Sequence, residues 1–203
     1  MRFSFEVTDL AGGYGENPLF TQLKFTLNPG SALQVVGPNG SGKSTLLRIL
    51  TGLNPNLGGD IFWQQQSIYQ DLGLYQKNLI FLSDKLNLKP ELNILENFKL
   101  FLNLRNESKS AAELTEIIHF LNLSPHTHLN VGQLSQGQKR RAAAARLLLY
   151  SAPLWILDEP FNALDQLSIE LFTQLFKQHL DQQGMIIFTS HQPIQFNQTL
   201  YHL

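Results

Sequence analysis

The sequence predicts an α/β fold, in which a core sheet of parallel strands carries helices on both faces. Two observations lead to this prediction. A glycine-rich loop separates an apolar run from an amphipathic segment within residues 32–50, which is the order strand, loop, helix. Further apolar runs at residues 79–82, 154–157 and 185–188 are separated by segments with helical periodicity. Each run has the length and character of a buried strand.

Antiparallel strands are expected beside this parallel core. Residues 2–8 and 23–27 alternate apolar and polar side chains, which is typical of half-buried strands. Residues 11–15, Ala-Gly-Gly-Tyr-Gly, are predicted to form a loop, and residues 57–60 a turn. A short strand is predicted at residues 61–63, directly after that turn. The first third of the chain therefore combines antiparallel strands with the start of the parallel sheet.

Composition limits the classes of function. The 203 residues suffice for one domain with a sizeable core. A net charge of −1 gives no indication of nucleic-acid binding. The absence of cysteine excludes disulfides and cysteine metal sites, and it fits a reducing compartment. We identify no signal peptide and no apolar window long enough to span a bilayer, so work at a membrane would require a partner.

The glycine-rich loop carries the first functional signal. It fits the pattern G-x-x-x-x-G-K-[ST], the P-loop that binds nucleotide phosphates. Backbone N–H groups of such a turn form an anion-binding nest at a helix N-terminus. Lys43 is expected to reach the outer phosphates, and Ser44 to offer its hydroxyl to Mg²⁺. A chance Gly/Ser loop is the alternative, but the fixed spacing between strand and helix argues against it. The candidate phosphate-binding residues are Gly37, Pro38, Asn39, Gly40, Ser41, Gly42, Lys43, Ser44 and Thr45.

The middle of the chain has a different character. Residues 84–132 are predicted to form an inserted helical subdomain, which leaves residues 1–83 and 133–203 for the core of a single domain. Within the insert, Ser110 and Glu113 have the spacing of a capping box, and an apolar helical face follows them. Just after the insert, Ser135 and Gln138 have the same spacing.

Two acids follow the apolar run at residues 154–157. In P-loop enzymes an acid at the end of such a strand holds the Mg²⁺ that bridges the outer phosphates, so Asp158 is a candidate metal ligand. Glu159 is a candidate to orient and polarise the water that attacks the γ-phosphate. The alternative is a simple acidic turn before Pro160. Placing two acids after a buried run is costly without a cation, which favours the functional interpretation.

Two further side chains are candidates for nucleotide contacts. His191 follows the last buried strand at the same sheet edge, where an imidazole can hydrogen-bond the γ-phosphate or the attacking water. Tyr14 precedes the P-loop and is a candidate to stack on adenine. A structural histidine and a surface tyrosine are the respective alternatives.

The order of these motifs resembles that of the ATP-binding cassette (ABC) ATPases, over essentially the whole chain. Residues 134–138, Leu-Ser-Gln-Gly-Gln, match the L-S-x-G-Q signature, which other P-loop ATPases lack. The resemblance implies a head-to-tail homodimer, in which each ATP lies between the P-loop of one subunit and the signature segment of the other. Ser135, Gly137 and Gln138 would complete the ATP site. Asp165 matches the D-loop, which links the two sites across the dimer.

A closer resemblance is to the ATPase subunits of bacterial haem exporters of cytochrome c maturation. It rests on residues 59–64, 154–161 and 191–193. It implies a cassette on the cytoplasmic face of the bacterial inner membrane, bound to integral membrane permease subunits. It also implies ATP hydrolysis linked to release of a haem-loaded haem chaperone.

Other functions remain open on the sequence alone. One is the ATPase subunit of another small-molecule transporter, since phosphate chemistry does not identify the cargo. Another is a soluble cassette acting on DNA or ribosomes, although such proteins usually carry coiled-coil inserts or a second cassette. A kinase or GTPase would leave the signature segment unexplained, and the guanine motif N-K-x-D is absent.

One position departs from the family pattern. Most cassettes have a glutamine after the strand that matches residues 79–82, and it contacts Mg²⁺. Asp84 occupies this position here. A carboxylate ligates Mg²⁺ more strongly than an amide, so Asp84 is a candidate metal contact. Its alternative role is to cap the segment that follows.

Overall fold

A computed structural model of the protein describes residues 4–15, 17–162, 164–190 and 198–203, with the backbone alone at Tyr14. The chain divides into two compact units. The first contains Met1–Ser83, Ala152–Asn162 and Thr173–Leu203, and the second contains Asp84–Ser151 and Ala163–Phe172. The second unit includes the whole of residues 84–132, together with the signature segment. The division of the chain at residue 132 stays a prediction.

The described residues include both strands and α-helices. The strands are β1 (Phe5–Tyr14), β2 (Asn17–Leu27), β3 (Ala32–Val36), β4 (Gly58–Trp63), β5 (Gln66–Ser67), β6 (Leu79–Leu82), β7 (Leu154–Leu157), β8 (Met185–Thr189) and β9 (Thr199–His202). The α-helices are α1 (Lys43–Leu50), α2 (Leu72–Lys77), α3 (Ile94–Leu104), α4 (Ala111–Phe120), α5 (Gln136–Ala144), α6 (Arg146–Leu149) and α7 (Gln166–Asp181). Across the described ranges, no helix combines the length and the apolar character that crossing a bilayer requires.

The parallel sheet confirms the predicted α/β fold. Its strands lie in the order β6-β7-β8-β3-β9, and every neighbouring pair is parallel. The four predicted members, β3, β6, β7 and β8, are apolar and largely buried. β9 was not predicted, because most of its side chains are exposed and carry no apolar pattern. Since all strands run in one direction, the residues that follow β3, β7 and β8 meet at one edge of the sheet.

The predicted antiparallel strands form a second sheet, in the order β2-β1-β4-β5. The predicted loop at residues 11–15 is wrong over most of its length, because β1 continues to Tyr14 and pairs Gly13 with Pro18. The turn predicted at residues 57–60 is also wrong in part, because β4 already begins at Gly58. Pairing with neighbouring strands satisfies the backbone of these glycines, which outweighs their low intrinsic strand propensity.

The helices of the second unit are defined by their caps. The predicted capping box is confirmed: the Ser110 hydroxyl accepts a hydrogen bond from the Glu113 N–H, and the Glu113 carboxylate accepts one from the Ser110 N–H. The Ser110 N–H and the Ser110 hydroxyl both donate to the Glu113 carboxylate, which lowers the pKa of Glu113 to about 2, with a smaller contribution from Lys109. Asn93 and Glu96 form an equivalent box at the start of α3. Side chains therefore satisfy the backbone donors that open both helices.

Candidate nucleotide-binding site

The P-loop, residues 37–45, connects β3 to α1 at the carboxyl edge of the parallel sheet. Gly40 and Gly42 have φ values of 84° and 99°, in the left-handed region that favours glycine. Gly42 is the N-cap of α1, and no side chain caps that helix. The loop thus presents the start of a helix whose first N–H groups are not covered by a capping side chain. This arrangement suits an anion.

The Lys43 side chain forms hydrogen bonds with the backbone of the P-loop. Its Nζ donates to the carbonyl oxygens of Gly37 at 2.8 Å and Pro38 at 3.0 Å, and the residue is only 9% exposed. The Ser41 hydroxyl is also buried, and it has no hydrogen-bond partner among the described residues. A buried hydroxyl without a partner is costly. The unpaired Ser41 hydroxyl therefore indicates that a polar group of a ligand forms a hydrogen bond with it. A phosphate oxygen has the required acceptor chemistry.

A cavity of about 350 Å³ lies over the P-loop. It brings Glu159 together with the loop residues, including Lys43 and Ser44. Its lining consists of Leu19, Asn39, Gly40, Gly42, Lys43, Ser44, Thr45 and Glu159. The structure therefore brings a candidate water-orienting acid to the candidate phosphate site, within the first unit.

Leu19 is the member of this lining that sequence reasoning did not select. It projects from β2 and is 42% exposed, and a Cβ on Gly42 would lie 3.2 Å from its side chain. The inward positions of β2 include Phe20 and Leu23. The available signal was thus an apolar residue at an outward position of an otherwise alternating strand.

The acid pair follows β7. The Asp158 N–H donates to the carbonyl oxygen of Leu82 on β6 at 2.7 Å, and Asp158 is 6% exposed. Its Oδ1 accepts a hydrogen bond from the Thr189 hydroxyl at 2.9 Å. The same hydroxyl accepts from the Glu159 N–H at 2.8 Å. Glu159 adopts a left-handed backbone, with a φ of 50°.

The signature segment, residues 134–138, lies in the second unit at the start of α5. Ser135 is the N-cap, and the predicted capping box with Gln138 is confirmed: the Ser135 hydroxyl accepts from the Gln138 N–H, and the Gln138 Oε1 accepts from the Ser135 N–H. The Gln138 side-chain nitrogen also lies 2.8 Å from Nε2 of His126. The Gln138 side chain is thus fixed at both ends of its amide.

Asp165 lies near the signature segment in the same unit. Its Oδ2 would be 3.9 Å from a Cβ on Gly137, and it forms a 3.4 Å ion pair with Arg141 of α5. Asp165 also accepts a hydrogen bond from the Ser168 N–H, which caps α7. Hydrogen bonds from Ser168 and the nearby Arg141 lower the pKa of the Asp165 carboxyl. A charged Asp165 therefore joins the start of α7 to the last turn of α5.

These observations do not bring every predicted residue to the cavity. Asp158 is not among the residues that line it, although its neighbour Glu159 is. Asp84 is exposed and belongs to the second unit. Only the backbone of Tyr14 is described, at the end of β1. His191 lies outside the described residues.

A glycine-rich phosphate loop between a parallel strand and a helix, facing an acid from another strand end, defines a P-loop nucleotide-binding protein. Residues 20–162 match the profile of the family described as ABC transporter. The chain belongs to the ABC transporter family, and it is an ATP-binding ATPase of that class.

Relatives extend the similarity to nearly the whole chain. The cytochrome c biogenesis ATP-binding export protein CcmA of Pasteurella multocida (strain Pm70) is 40% identical over 195 residues, covering 96% of this chain and 92% of the relative. The protein of the same name from Pseudomonas aeruginosa is 41% identical over 189 residues, covering 93% of each.

Solved structures have the same fold. A dimeric bacterial ABC transporter cassette superposes with a TM-score of 0.85 at 25% identity, covering 98% of this chain and 94% of that chain. An ATP-binding cassette dimer in a post-hydrolysis state, bound to ADP and phosphate, superposes with a TM-score of 0.83 at 24% identity, with the same coverage.

Proposed function

We propose that the chain is the ATP-hydrolysing subunit of a haem exporter of cytochrome c biogenesis, in which hydrolysis drives release of a haem-loaded haem chaperone. The evidence that the exporter handles haem is the identity of about 40% to the CcmA proteins, over more than nine-tenths of both chains. The evidence for ATP hydrolysis is the cavity that residues of the P-loop line together with Glu159. ABC ATPases of other small-molecule transporters would share the second observation but not the first.

The phosphates of ATP are bound by the P-loop. Residues 37–45 supply backbone N–H groups and the start of α1, and the buried Ser41 hydroxyl supplies a further partner. The Lys43 ammonium, which donates to two loop carbonyls, is held where it can donate to phosphate oxygens instead. Fixed positive charge in a partly enclosed site stabilises the charge that develops on the γ-phosphate.

The chain also offers oxygen ligands for Mg²⁺. The Ser44 hydroxyl and the Asp158 carboxylate would hold the ion, and Asp84 would contribute a third oxygen in place of the usual glutamine. Hydroxyl and carboxylate oxygens are the ligands Mg²⁺ prefers. Bound Mg²⁺ would neutralise charge on the outer phosphates.

Glu159 acts on the attacking water. Glu159 lines the cavity with Lys43 and Ser44, where its carboxylate would accept a proton from a water directed at the γ-phosphate. His191 would contact the γ-phosphate or that water, and Tyr14 would stack on adenine.

A second copy of the chain completes the site. Ser135, Gly137 and Gln138 of the partner would face the phosphates from the other side, and Asp165 would link the two sites. A preformed cap at Ser135 supports this proposal, because it fixes the start of α5, where the partial positive charge of the helix dipole favours an anion. Integral membrane permease subunits would hold the homodimer on the cytoplasmic face of the inner membrane.

Glu159→Gln tests the chemistry. The substitution removes the proton acceptor but keeps the size of the side chain, so ATP binding is retained and turnover falls by at least ~10²-fold. ATP binding measured by fluorescence titration, together with phosphate release, separates the two effects. Near-normal turnover in this variant would contradict the role of Glu159.

Co-purification tests the cargo. A tagged chain isolated from detergent-solubilised membranes should bring down permease subunits and a haem-carrying chaperone, which absorption of the Soret band reports. Recovery with the permease of another small-molecule transporter would contradict the haem exporter and leave the ATPase assignment intact.

A further inference from the structure

The hydroxyl of Thr189 joins the two acids of the site. Thr189 is the last residue of β8, and it is fully buried. β7 and β8 are parallel neighbours in which Leu157 pairs with Phe188, so the residues one step further along lie side by side. The Thr189 Oγ1 donates to Asp158 Oδ1 at 2.9 Å and accepts from the Glu159 N–H at 2.8 Å. One oxygen atom is therefore bonded to both acidic residues.

The direction of these bonds is fixed by chemistry. A backbone N–H can only donate, so the Thr189 oxygen must present a lone pair to Glu159. Its single hydrogen is then directed at the Asp158 carboxylate, which accepts it. The hydroxyl bond to a carboxylate is charge-assisted and therefore stronger than a bond between neutral groups. The Thr189 hydroxyl is thus held in one orientation by its two hydrogen-bond partners.

The backbone of Glu159 needs such support. Its φ of 50° lies in the left-handed region, which residues with a side chain seldom occupy without compensating contacts. The Thr189 hydroxyl binds its N–H, and the Asn162 N–H donates to its carbonyl oxygen at 3.2 Å. These bonds fix the turn at Glu159, a residue that lines the cavity with Lys43 and Ser44.

We propose that Thr189 is a positioning residue of the ATPase reaction, whose hydroxyl sets the backbone of Glu159 relative to the carboxylate of Asp158. This inference rests on the proposed role of Glu159 in orienting water. Thr189 does not line the cavity with Glu159, and it acts through the two acids. A shift of the Asp158 carboxylate is transmitted through one atom to the residue that orients the water. The positions of Asp158, which would hold the metal, and Glu159, which would act on water, are thereby fixed relative to each other.

Thr189→Val tests the proposal, with Thr189→Ser as the matched control. Valine keeps the shape and the branched Cβ but removes both hydrogen bonds, whereas serine keeps the hydroxyl. In the chain purified with its membrane partners, we expect Thr189→Val to lower kcat ~10-fold or more, because small displacements of a positioned group are costly to turnover. The KM for ATP should stay within ~3-fold, since the P-loop contacts remain. Thr189→Ser should retain most of the wild-type kcat.

A double-mutant cycle separates positioning from general damage. If Thr189 acts through Glu159, then Thr189→Val should cause little further loss in the Glu159→Gln background, in single-turnover measurements. Thermal unfolding and ATP binding of each variant confirm that the comparison is between folded proteins.

Three results would overturn the inference: wild-type kcat in Thr189→Val, equal losses in the valine and serine variants, or a full multiplicative loss in the Glu159→Gln background. None of these would affect the proposed function. The proposed role of Glu159 would fail on near-normal turnover in Glu159→Gln itself, and the haem exporter would fail on co-purification with another permease, so these failures are distinguishable from failure of the inference.

Discussion

At the scale of single residues, His179 is a titratable side chain that serves the core. Its ring stacks on Trp155 with centroids 3.7 Å apart and planes 10° from parallel. Only 9% of the residue is exposed, and its Nε2 has no hydrogen-bond partner among the described residues. Burial lowers the pKa of His179 to about 4, against smaller opposing effects of backbone hydrogen bonds. The folded chain therefore holds a neutral imidazole at neutral pH.

This burial predicts a pH dependence of stability. Between pH ~6.5 and ~4 the unfolded chain binds a proton at His179 that the folded chain does not, so the free energy of unfolding falls as the pH is lowered. The loss at the lower end is on the order of 3 kcal/mol. Urea unfolding at a series of pH values measures it. His179→Leu should lack this part of the slope, and parallel slopes in the two proteins would contradict the prediction.

The residue scale also shows what sequence patterns miss. Lys43, Ser44 and Glu159 were selected because each belongs to a contiguous motif, and the structure places all three at one cavity. Leu19 and Thr189 belong to no motif. Their relevance depends on strand register, which sets Thr189 beside the acid pair and turns Leu19 outward. Register arises from pairing between distant segments, so a single sequence gives little access to it.

At the scale of elements, β4 opens with two glycines of different kinds. Gly59 has a φ of 78°, and a Cβ there would lie 2.4 Å from the backbone carbon and oxygen of Asp9. A Cβ on Gly58 would approach nothing closer than Ala11, at 4.0 Å. The neighbouring positions therefore differ in both backbone conformation and available space.

Alanine substitutions should separate these two glycines. Gly59→Ala should lower the free energy of unfolding by ~1–3 kcal/mol, because it adds left-handed strain to a backbone clash. Gly58→Ala should change it by no more than about 0.5 kcal/mol. Chemical denaturation of both variants provides the measurement. Equal free energies of unfolding in the Gly58→Ala and Gly59→Ala variants would contradict the prediction, because they would show that β1 accommodates the added Cβ without loss of stability.

Element prediction succeeded where local patterns carry the information. The capping boxes at Ser110 and Ser135 were predicted from spacing alone, because the bonds that form them span three residues. The glycines of β1 and the polar strand β9 were not predicted as strands. Both are held by partners distant in sequence, and tertiary pairing outweighs their own propensities.

At the scale of the whole molecule, the proposed site depends on a second copy of the chain. We expect isolated monomers to bind ATP but hydrolyse it poorly, since the signature segment of a partner supplies the second wall. ATP turnover per chain should therefore rise with protein concentration and level off when dimers dominate. Sedimentation velocity measured in parallel identifies that range. Full turnover per chain at dilutions where only monomers sediment would contradict the shared site.

The strand order of the parallel sheet has a consequence for biosynthesis. β3, which carries the P-loop at its end, lies between β8 and β9. β3 ends at Val36, whereas β8 begins only at Met185. During translation β3 must remain an apolar strand with both edges open until β8 and β9 have emerged, which exposes it to wrong partners. Nucleotide therefore cannot assist the folding of the preceding segments on the ribosome, because the sheet that supports its binding loop is incomplete until β8 has been synthesised.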